Sequence, residues 1–149
     1  MYLTLVWHIK PRNSKIRLMY SFDSIVLIDD DPINNLINKR LIGKMELSPC
    51  IDEFLEAENA FSKIISLDTD KKLLILLDIN MPVMNGWDFL NLYEEKCTNR
   101  DDIILMLSSS IDFQDRKKSQ EYPSVKGFIE KPLTTEKLFK MIPEHVKDR

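Results

Sequence analysis

Four stretches of the chain are nearly continuous in large apolar residues, and a weaker fifth one runs near Cys50 to Phe54. The four are Ile25–Ile28, Leu73–Leu77, Ile103–Leu107 and Val125–Ile129. A β-strand with one face in water alternates apolar and polar residues, whereas a strand without alternation is covered on both faces, as in a parallel sheet. The sequence therefore predicts five strands in a parallel sheet, with helices packed on both of its faces.

Segments with helix-like spacing of apolar residues separate these strands. In the first, Ile33, Leu36, Ile37 and Leu41 fall on one stripe, which a helix turns toward the core, while Asn34, Asn38 and Lys39 lie off it. Less regular patterns cover residues 57–67, 87–93, 112–120 and 135–142. A strand–helix order repeated five times predicts a doubly wound α/β fold. The ligand site of such a fold lies beyond the carboxyl ends of the strands, where the strand order reverses.

The charge of the chain is unevenly distributed. Its 149 residues suffice for one domain, and the net charge is −3. Residues 1–20 contain four basic residues and no acid, so the remainder carries 17 basic residues against 24 acidic ones, a net charge of −7. An acidic domain argues against nucleic-acid binding, which needs clustered basic residues, and suits a protein that holds a cation.

Residues 1–20 do not fit the strand–helix repeat, so we expect an N-terminal extension there, either flexible or added as an edge strand, followed by one domain over residues 21–149. Met19 lies just before the first convincing strand, which suggests the hypothesis that translation starts there. The opening apolar segment is too short to span a membrane and lacks the features of a secretion signal. Cys50 and Cys97 fit neither a disulfide framework nor a metal motif, and we predict that both are buried in a chain of the reducing cytosol.

Three consecutive carboxylates follow the first strand, namely Asp29, Asp30 and Asp31, and Pro32 comes next. Their mutual repulsion would raise a pKa or destabilise the loop unless a positive group lies nearby. An Asp at the N-cap position and a Pro at the first helical position form a well-matched helix start, so we assign Asp31 to capping. Asp29 and Asp30 need another explanation.

A further carboxylate, Asp78, closes the apolar run of the third strand. Taken alone, it is equally consistent with an ordinary loop residue. Because it shares a sheet edge with Asp29 and Asp30, it completes a cluster of three carboxylates that a hard divalent cation would neutralise. Mg²⁺ is the natural choice, since it binds one or two carboxylates together with waters and phosphate oxygens.

Hydroxyl and ammonium donors follow the last two strands. The fourth strand ends in Ser108, Ser109 and Ser110, and the fifth is followed by Lys131 and Pro132. Serines after a strand are commonly turn residues, and a single lysine is usually solvated. At the same edge as three carboxylates, however, they supply the hydrogen-bond donors and the positive charge that a phosphoryl group requires.

The motifs IDDDP, LLDINMPVMNG, LSSS and FIEKP, in this order and spacing, resemble those of the receiver domains of response regulators over about residues 22–145. The resemblance is specific because four separate motifs fall at four strand ends. It implies a flavodoxin-like doubly wound (βα)5 fold, with a five-stranded parallel sheet in the order 2-1-3-4-5.

The resemblance implies a role for each acidic residue. Asp78 resembles the phosphoacceptor, which is also a metal ligand, and Asp30 resembles a direct Mg²⁺ ligand. Asp29 resembles an acid that binds the metal largely through water. Asn80 occupies the position whose backbone carbonyl completes the protein's share of the metal shell.

Further roles follow from the same resemblance. Ser108 resembles the hydroxyl that hydrogen-bonds the phosphoryl group, and Lys131 resembles the ammonium that pairs with it. The peptide between Lys131 and Pro132 is commonly cis in the family, which a proline permits at low cost. Asn80 and Ser110 occupy the positions whose side chains set the rate of dephosphorylation.

The implied function is a signalling switch and not an enzyme, with self-catalysed phosphoryl transfer and dephosphorylation. The phosphoryl group would come from a phosphohistidine of a sensor histidine kinase or a histidine phosphotransfer protein. Phe128 matches the aromatic position that turns inward on activation, although a static core aromatic is the plain alternative. We expect a downstream protein target, no direct contact with nucleic acid or membrane, a cytoplasmic location, and a monomer or a phosphorylation-dependent dimer.

Three other features remain near these motifs. Gly86 suits a left-handed or closely approached backbone ahead of the third helix, and Trp87 is better explained by packing than by recognition. The basic run Arg116–Lys118 is typical of a solvated helix face, but it lies on the helix that family members use for partner contact. Because no residues follow Arg149, we expect a stand-alone receiver, and a truncated chain would look the same.

Two rival functions belong to other classes. A phosphohydrolase of the haloacid-dehalogenase type also uses a strand-end Asp and Mg²⁺, but it needs a second Asp two residues after the nucleophile, and position 80 is Asn. A binding module that kept the fold and works without phosphorylation is the other alternative. The intact set of acids, hydroxyl and lysine argues against it.

Overall fold

The computed structural model describes residues 20–147. The predicted N-terminal extension and the proposed start at Met19 therefore fall almost wholly outside the described residues. Five strands form one sheet, and their bounds are β1 (Ser24–Ile28), β2 (Ile51–Phe54), β3 (Leu73–Asp78), β4 (Ile103–Ser108) and β5 (Val125–Glu130). All four strand pairings are parallel, and the order is β2-β1-β3-β4-β5. The predicted flavodoxin-like fold is confirmed.

Helices connect the strands, and each predicted helical segment is present within a few residues of its expected bounds. The helices are α1 (Pro32–Gly43), α2 (Ala57–Ser66), α3 (Gly86–Lys96), α4 (Phe113–Ser119), α5 (Thr135–Met141) and α6 (Glu144–Lys147). The single-turn α6 was not predicted. Among residues 20–147, no helix is long and apolar enough to cross a membrane.

The core is divided between the two faces of the sheet. This agrees with the prediction from strands that lack apolar–polar alternation. Val26 and Ile75 belong to one buried apolar cluster, whereas their neighbours Ile25 and Leu74 belong to the other. Because successive side chains of a strand point to opposite faces, each central strand contributes to both clusters. The continuous apolar runs are thus explained by two-sided burial.

The predicted orientation of α1 is wrong. Its buried residues are Asn35, Asn38 and Ile42, while Ile33 and Ile37 are 65% and 55% exposed. The first turn explains the inversion, because the Asp31 side chain accepts a hydrogen bond from Ile33 and fixes where the helix begins. The amide of Asn35 then bonds to the ends of two strands, which turns the apolar stripe outward.

The two cysteines differ in their environments. Cys97 is buried, as predicted, and burial raises the pKa of its thiol. Cys50 is exposed, contrary to the prediction, because it lies just before the short edge strand β2, where few elements cover it. Its sulfur lies 3.7 Å from a carboxylate oxygen of Asp52. Neither cysteine forms a disulfide.

Candidate functional site

The strand order reverses at β1, because β2 lies on one side of it and β3 on the other. The carboxyl ends of β1 and β3 therefore flank the crevice in which doubly wound folds bind ligands. Asp29 directly follows β1, and Asp78 is the last residue of β3. The fold thus brings together carboxylates that are 49 residues apart in the sequence.

Three carboxylates meet at this edge. One carboxylate oxygen from each of Asp29, Asp30 and Asp78 lies within 4.8 Å of the others. Asp29 and Asp78 are buried, at 2% and 5% exposure, whereas Asp30 is open to solvent. Hard carboxylate oxygens with one exposed member are a donor set that fits a divalent cation such as Mg²⁺.

Lys131 is the cation among these acids. Its ammonium nitrogen lies 2.9 Å from Oδ2 of Asp29 and 3.3 Å from Oδ1 of Asp78. The backbone N–H of Lys131 donates to the carbonyl of Ser108 at 2.8 Å, which extends the pairing of β4 with β5 to the lysine itself. The peptide between Lys131 and Pro132 is cis, as the resemblance implied.

The charges at the site do not balance. Burial, and then the charge of Asp29, raise the pKa of Asp78 above its ordinary value of 3.8, and Lys131 only partly opposes this shift. Burial acts to lower the pKa of Lys131, but its hydrogen bond to Asp29 and the two carboxylate charges outweigh burial, so that pKa is raised. One ammonium is thus held in its charged form among three carboxylates. A further positive charge would therefore be favourable at this site.

The hydroxyl donor is present but turned to another partner. Ser108 is buried at the end of β4, where its Oγ donates to the carbonyl of Ser110 at 2.8 Å and lies 3.2 Å from the N–H of the same residue. Ser110 and Asn80 are exposed on the loops that follow β4 and β3. The roles of the Asn80 carbonyl and of both exposed side chains stay predictions.

The backbone around Asp78 is tightly packed. A Cβ added to Gly86 would lie 2.8 Å from the carbonyl oxygen of Asp78 and 2.9 Å from Cα of Ile79. Of the two predicted reasons for this glycine, close approach is therefore the correct one. Val83, in the same loop, is 93% exposed and has a φ of 67°, a left-handed conformation that a β-branched residue rarely adopts.

The region around α4 supplies the remaining predicted residues. Phe128 is 8% exposed and belongs to the core, which fits both the static and the switching interpretation. Trp87 packs against Tyr122 with 5.8 Å between ring centroids, as the packing prediction required. Lys118 is more than a solvated charge, because its ammonium lies 4.7 Å from the centre of the Trp87 ring. None of the residues of α4 itself is buried.

One buried amide and one buried ion pair were missed by sequence reasoning. Asn35 bonds to the backbone at the ends of β1 and β2, and its only sequence signal was a pair of poor helix formers, Asn34 and Asn35, inside a helix. At the opposite edge of the sheet, Arg100 and Asp102 form a buried ion pair of 2.7 Å just before β4. Charged residues directly before an apolar strand were the signal for that pair.

Comparisons with known proteins agree with the fold. Residues 25–143 match the response regulator receiver domain family. A probable C4-dicarboxylate response regulator of Halalkalibacterium halodurans is 29% identical over 114 residues, which cover 76% of this chain and 47% of that protein. The chain thus spans about half the length of this curated relative.

Two solved structures extend the comparison. A two-component response regulator from Cytophaga hutchinsonii has a TM-score of 0.73 and 29% identity, and the match covers 86% of this chain and 98% of that one. A response regulator from Thermotoga maritima, solved in complex with Mg(2+)-BeF, has a TM-score of 0.63 and 22% identity, covering 80% and 99%. A cluster of acidic residues where the strand order of a flavodoxin-like sheet reverses is consistent with a receiver-type domain. The chain belongs to the response regulator receiver domain family.

Proposed function

We propose that this chain accepts a phosphoryl group on Asp78 from a phosphohistidine of a sensor histidine kinase or a histidine phosphotransfer protein, and that the phosphorylated form presents an altered surface to a downstream protein. One observation carries the proposal: the buried carboxylate of Asp78 lies 3.3 Å from the ammonium of Lys131, in a cluster with two further acids. The chain is then a cytoplasmic signalling switch and not an enzyme, since it is itself the acceptor and is restored by hydrolysis.

The chemistry follows from the residues at the site. In the transfer, the bond between phosphorus and the imidazole nitrogen breaks and a bond between phosphorus and a carboxylate oxygen of Asp78 forms. Lys131 pairs with the phosphoryl oxygens, and Ser108 exchanges its bond to the Ser110 backbone for one to a phosphoryl oxygen. Water later cleaves the acyl phosphate, at a rate that the exposed side chains of Asn80 and Ser110 set.

Mg²⁺ completes the proposed site. The residues that would hold it are Asp29, Asp30, Asp78 and the backbone carbonyl of Asn80, which offer only the hard oxygen donors that this ion prefers. When bound, the ion supplies positive charge to the transferring phosphoryl group. The Thermotoga maritima response regulator in complex with Mg(2+)-BeF supports this part of the proposal by analogy.

An exposed apolar surface beside the site supports contact with a phosphohistidine protein. Ile33, Leu36 and Ile37 lie at helical neighbour positions on α1, which begins directly after the acidic loop, and all three are exposed. Val83 is exposed at the same edge of the sheet. Single exposed apolar residues are common, but a helix that turns its apolar stripe to solvent next to a reactive group suits a protein contact.

The output surface is proposed at the β5 edge of the sheet. A cleft of about 610 Å³ lies between α4, β5 and α5, and it is lined by Phe128 and by the cations Arg116 and Lys126. Because α4 has no buried residue, few contacts hold it in place. A shift of Ser108 toward the phosphoryl group would pull on the loop before α4 and change this cleft.

The direct test is phosphorylation by a small phosphodonor. The full chain is incubated with acetyl phosphate and Mg²⁺ and its intact mass is measured, alongside Asp78→Asn and Asp31→Asn. We expect one phosphoryl group on the parent chain and on Asp31→Asn, because Asn caps a helix as well as Asp does. Asp78→Asn and the parent chain with a chelator should gain none.

Two results contradict the proposal. If the parent chain gains no phosphoryl group under any of these conditions, the alternative of a binding module that works without phosphorylation is favoured. If Asp78→Asn is phosphorylated as fully as the parent chain, another residue is the acceptor. The haloacid-dehalogenase alternative is set aside, because the chain belongs to the receiver family.

A further inference from the structure

Asn35 is a polar side chain buried on the face of α1 that packs against the sheet. It is 1% exposed, at a position where the crossover helix of an α/β fold normally places an apolar residue. Ile33 and Ile37, on the other side of the same helix, are exposed instead. Burying an amide is unfavourable unless it is hydrogen-bonded, so the bonds of Asn35 explain its position.

The carboxamide of Asn35 is bonded on one side only. Its Nδ2 donates to the carbonyl of Asp29 at 3.0 Å and to the carbonyl of Phe54 at 3.1 Å. Its Oδ1 is buried and has no hydrogen-bond partner. The orientation is fixed, since a reversed amide would place its oxygen against two carbonyl oxygens. Asn35 therefore leaves its Oδ1 buried without a partner, while its Nδ2 donates to the carbonyls of both Asp29 and Phe54.

Asp29 is held in place at all four of its polar atoms, because each has a hydrogen-bond partner. The amide of Asn35 is the partner of its carbonyl oxygen. The partners of the other three atoms are the carbonyl of Phe54 at 3.1 Å, the N–H of Asp31 at 2.9 Å and the ammonium of Lys131 at 2.9 Å. The carbonyl of Asp29 belongs to the planar peptide that joins it to Asp30. Fixing that carbonyl therefore fixes the direction in which the chain leaves for Asp30.

We propose that Asn35 is a positioning residue for Mg²⁺, acting through the Asp29–Asp30 peptide. The inference rests on the proposed function, because it concerns the same metal site. Asn35 does not touch the metal or the phosphoryl group. It holds one buried acid and one exposed acid in the relative orientation that an octahedral ion requires. Loss of a group that orients metal ligands typically lowers metal affinity by 10–100-fold.

The test separates metal affinity from stability. Asn35→Leu keeps the approximate side-chain volume and removes both donors. Asn38→Leu is the matched control, because Asn38 is also buried, one turn further along α1, but makes no hydrogen bond to the acidic loop. Mg²⁺ affinity of the full chain is measured by calorimetry, and the free energy of unfolding is measured in urea without the ion. Asn35→Ala is measured as well, since Ala favours a helix if the leucine variant does not fold.

We expect Asn35→Leu to bind Mg²⁺ about tenfold more weakly than the parent chain, and Asn38→Leu to bind it as the parent does. A merely structural role predicts lower stability of the Asn35 variants with unchanged Mg²⁺ affinity, and that result overturns the inference. Failure of the proposed function is distinguishable, because it concerns the parent chain: a parent that binds Mg²⁺ but accepts no phosphoryl group overturns the function and leaves the inference standing. A parent that binds no Mg²⁺ overturns both.

Discussion

The two ends of the sheet each contain a buried aspartate beside a cation, yet the two pairs differ in how completely they are satisfied. At the amino end, the carboxylate of Asp102 accepts hydrogen bonds from the Arg100 guanidinium at 2.7 Å, the Tyr93 hydroxyl at 2.7 Å and the N–H of Leu73 at 3.0 Å. At the carboxyl end, Asp78 has only an ammonium at 3.3 Å, which it shares with a second acid.

The charge balance of the two ends differs as well. Arg100 and Asp102 neutralise each other one to one, and the guanidinium also donates to the carbonyls of Leu67, Asp68 and Lys71. Burial, then the hydrogen bond to Asp102, raise the pKa of Tyr93, so its hydroxyl keeps its proton. Lys131, in contrast, stands among three carboxylates. A saturated pair stabilises a fold, whereas an unsaturated one leaves oxygens available for a ligand.

The largest expected effect is at the saturated end. Arg100→Leu leaves Asp102 charged and buried with no cation, and removing one member of a buried pair costs about 3–5 kcal/mol of unfolding free energy. We expect a loss of that size in urea denaturation. Mg²⁺ affinity of the folded variant should be unchanged, because β4 separates the pair from the site by roughly 20 Å, at ~3.3 Å per residue. A weakened Mg²⁺ site would show that the two ends are coupled.

Lys131→Met is the counterpart at the unsaturated end. It removes a charge-assisted hydrogen bond, which costs about 2 kcal/mol when Mg²⁺ is absent. Because an ion that binds only the folded state adds to its stability, saturating Mg²⁺ should restore most of this loss. The same urea titration with and without the ion measures it. Equal losses in both conditions would mean that Mg²⁺ does not replace the lysine charge.

Crowding of the backbone at the end of β3 gives a second paired test. In Gly86→Ala, the new methyl meets the backbone of Asp78 and Ile79, and we expect a loss of about 1–3 kcal/mol with slower phosphorylation. Gly43→Ala is the control, because nothing lies within 4 Å of its added Cβ, and it should gain about 0.4–1 kcal/mol. Urea denaturation and the rate of phosphorylation by acetyl phosphate measure both. If Gly86→Ala changes neither the free energy of unfolding nor the rate of phosphorylation, the close approach of the backbone to Gly86 is needed for neither stability nor phosphorylation.

The smallest effect concerns the surplus of negative charge. Asp78 has a raised pKa in the folded chain, so the folded state binds its proton more tightly than the unfolded state does. Stability therefore falls as pH rises above 3.8 through the raised pKa, and it stays lower at neutral pH. Asp78→Asn should remove this fall and be more stable by on the order of 1 kcal/mol at pH 7 without Mg²⁺. If Asp78→Asn is less stable than the parent chain under these conditions, the excess of negative charge at the site does not destabilise the fold.

Much of the fold could be predicted because two-sided burial leaves a strong mark on a strand. The β3 run of five aliphatic residues ending in Asp78 was predicted to within one residue, and the strand order followed from the resemblance. The rotation of α1 was not predictable from its apolar stripe. Two hydrogen bonds of one buried amide, to backbone that is distant in sequence, outweigh the burial of Ile33 and Ile37.

The acids and the lysine of the site were found because each lies within two residues of the end of an apolar run. Their pairing could not be predicted, since it depends on side-chain geometry: Lys131 is closer to Asp29 than to Asp78, and Ser108 faces the backbone of Ser110. The Arg100–Asp102 pair was missed for the same reason. Its residues are only two apart, but their partners lie on other segments that the fold brings together.

The most direct measurement locates the phosphoryl group on the chain. The full chain is treated with acetyl phosphate and Mg²⁺, the acyl phosphate is reduced with borohydride, and the peptides are sequenced by mass spectrometry. Reduction converts a phosphorylated aspartate to homoserine. We predict homoserine at position 78 and at none of the neighbouring acids Asp29, Asp30 and Asp31. Homoserine at another position, or phosphate that survives on a serine, would contradict the assignment of Asp78 as the acceptor.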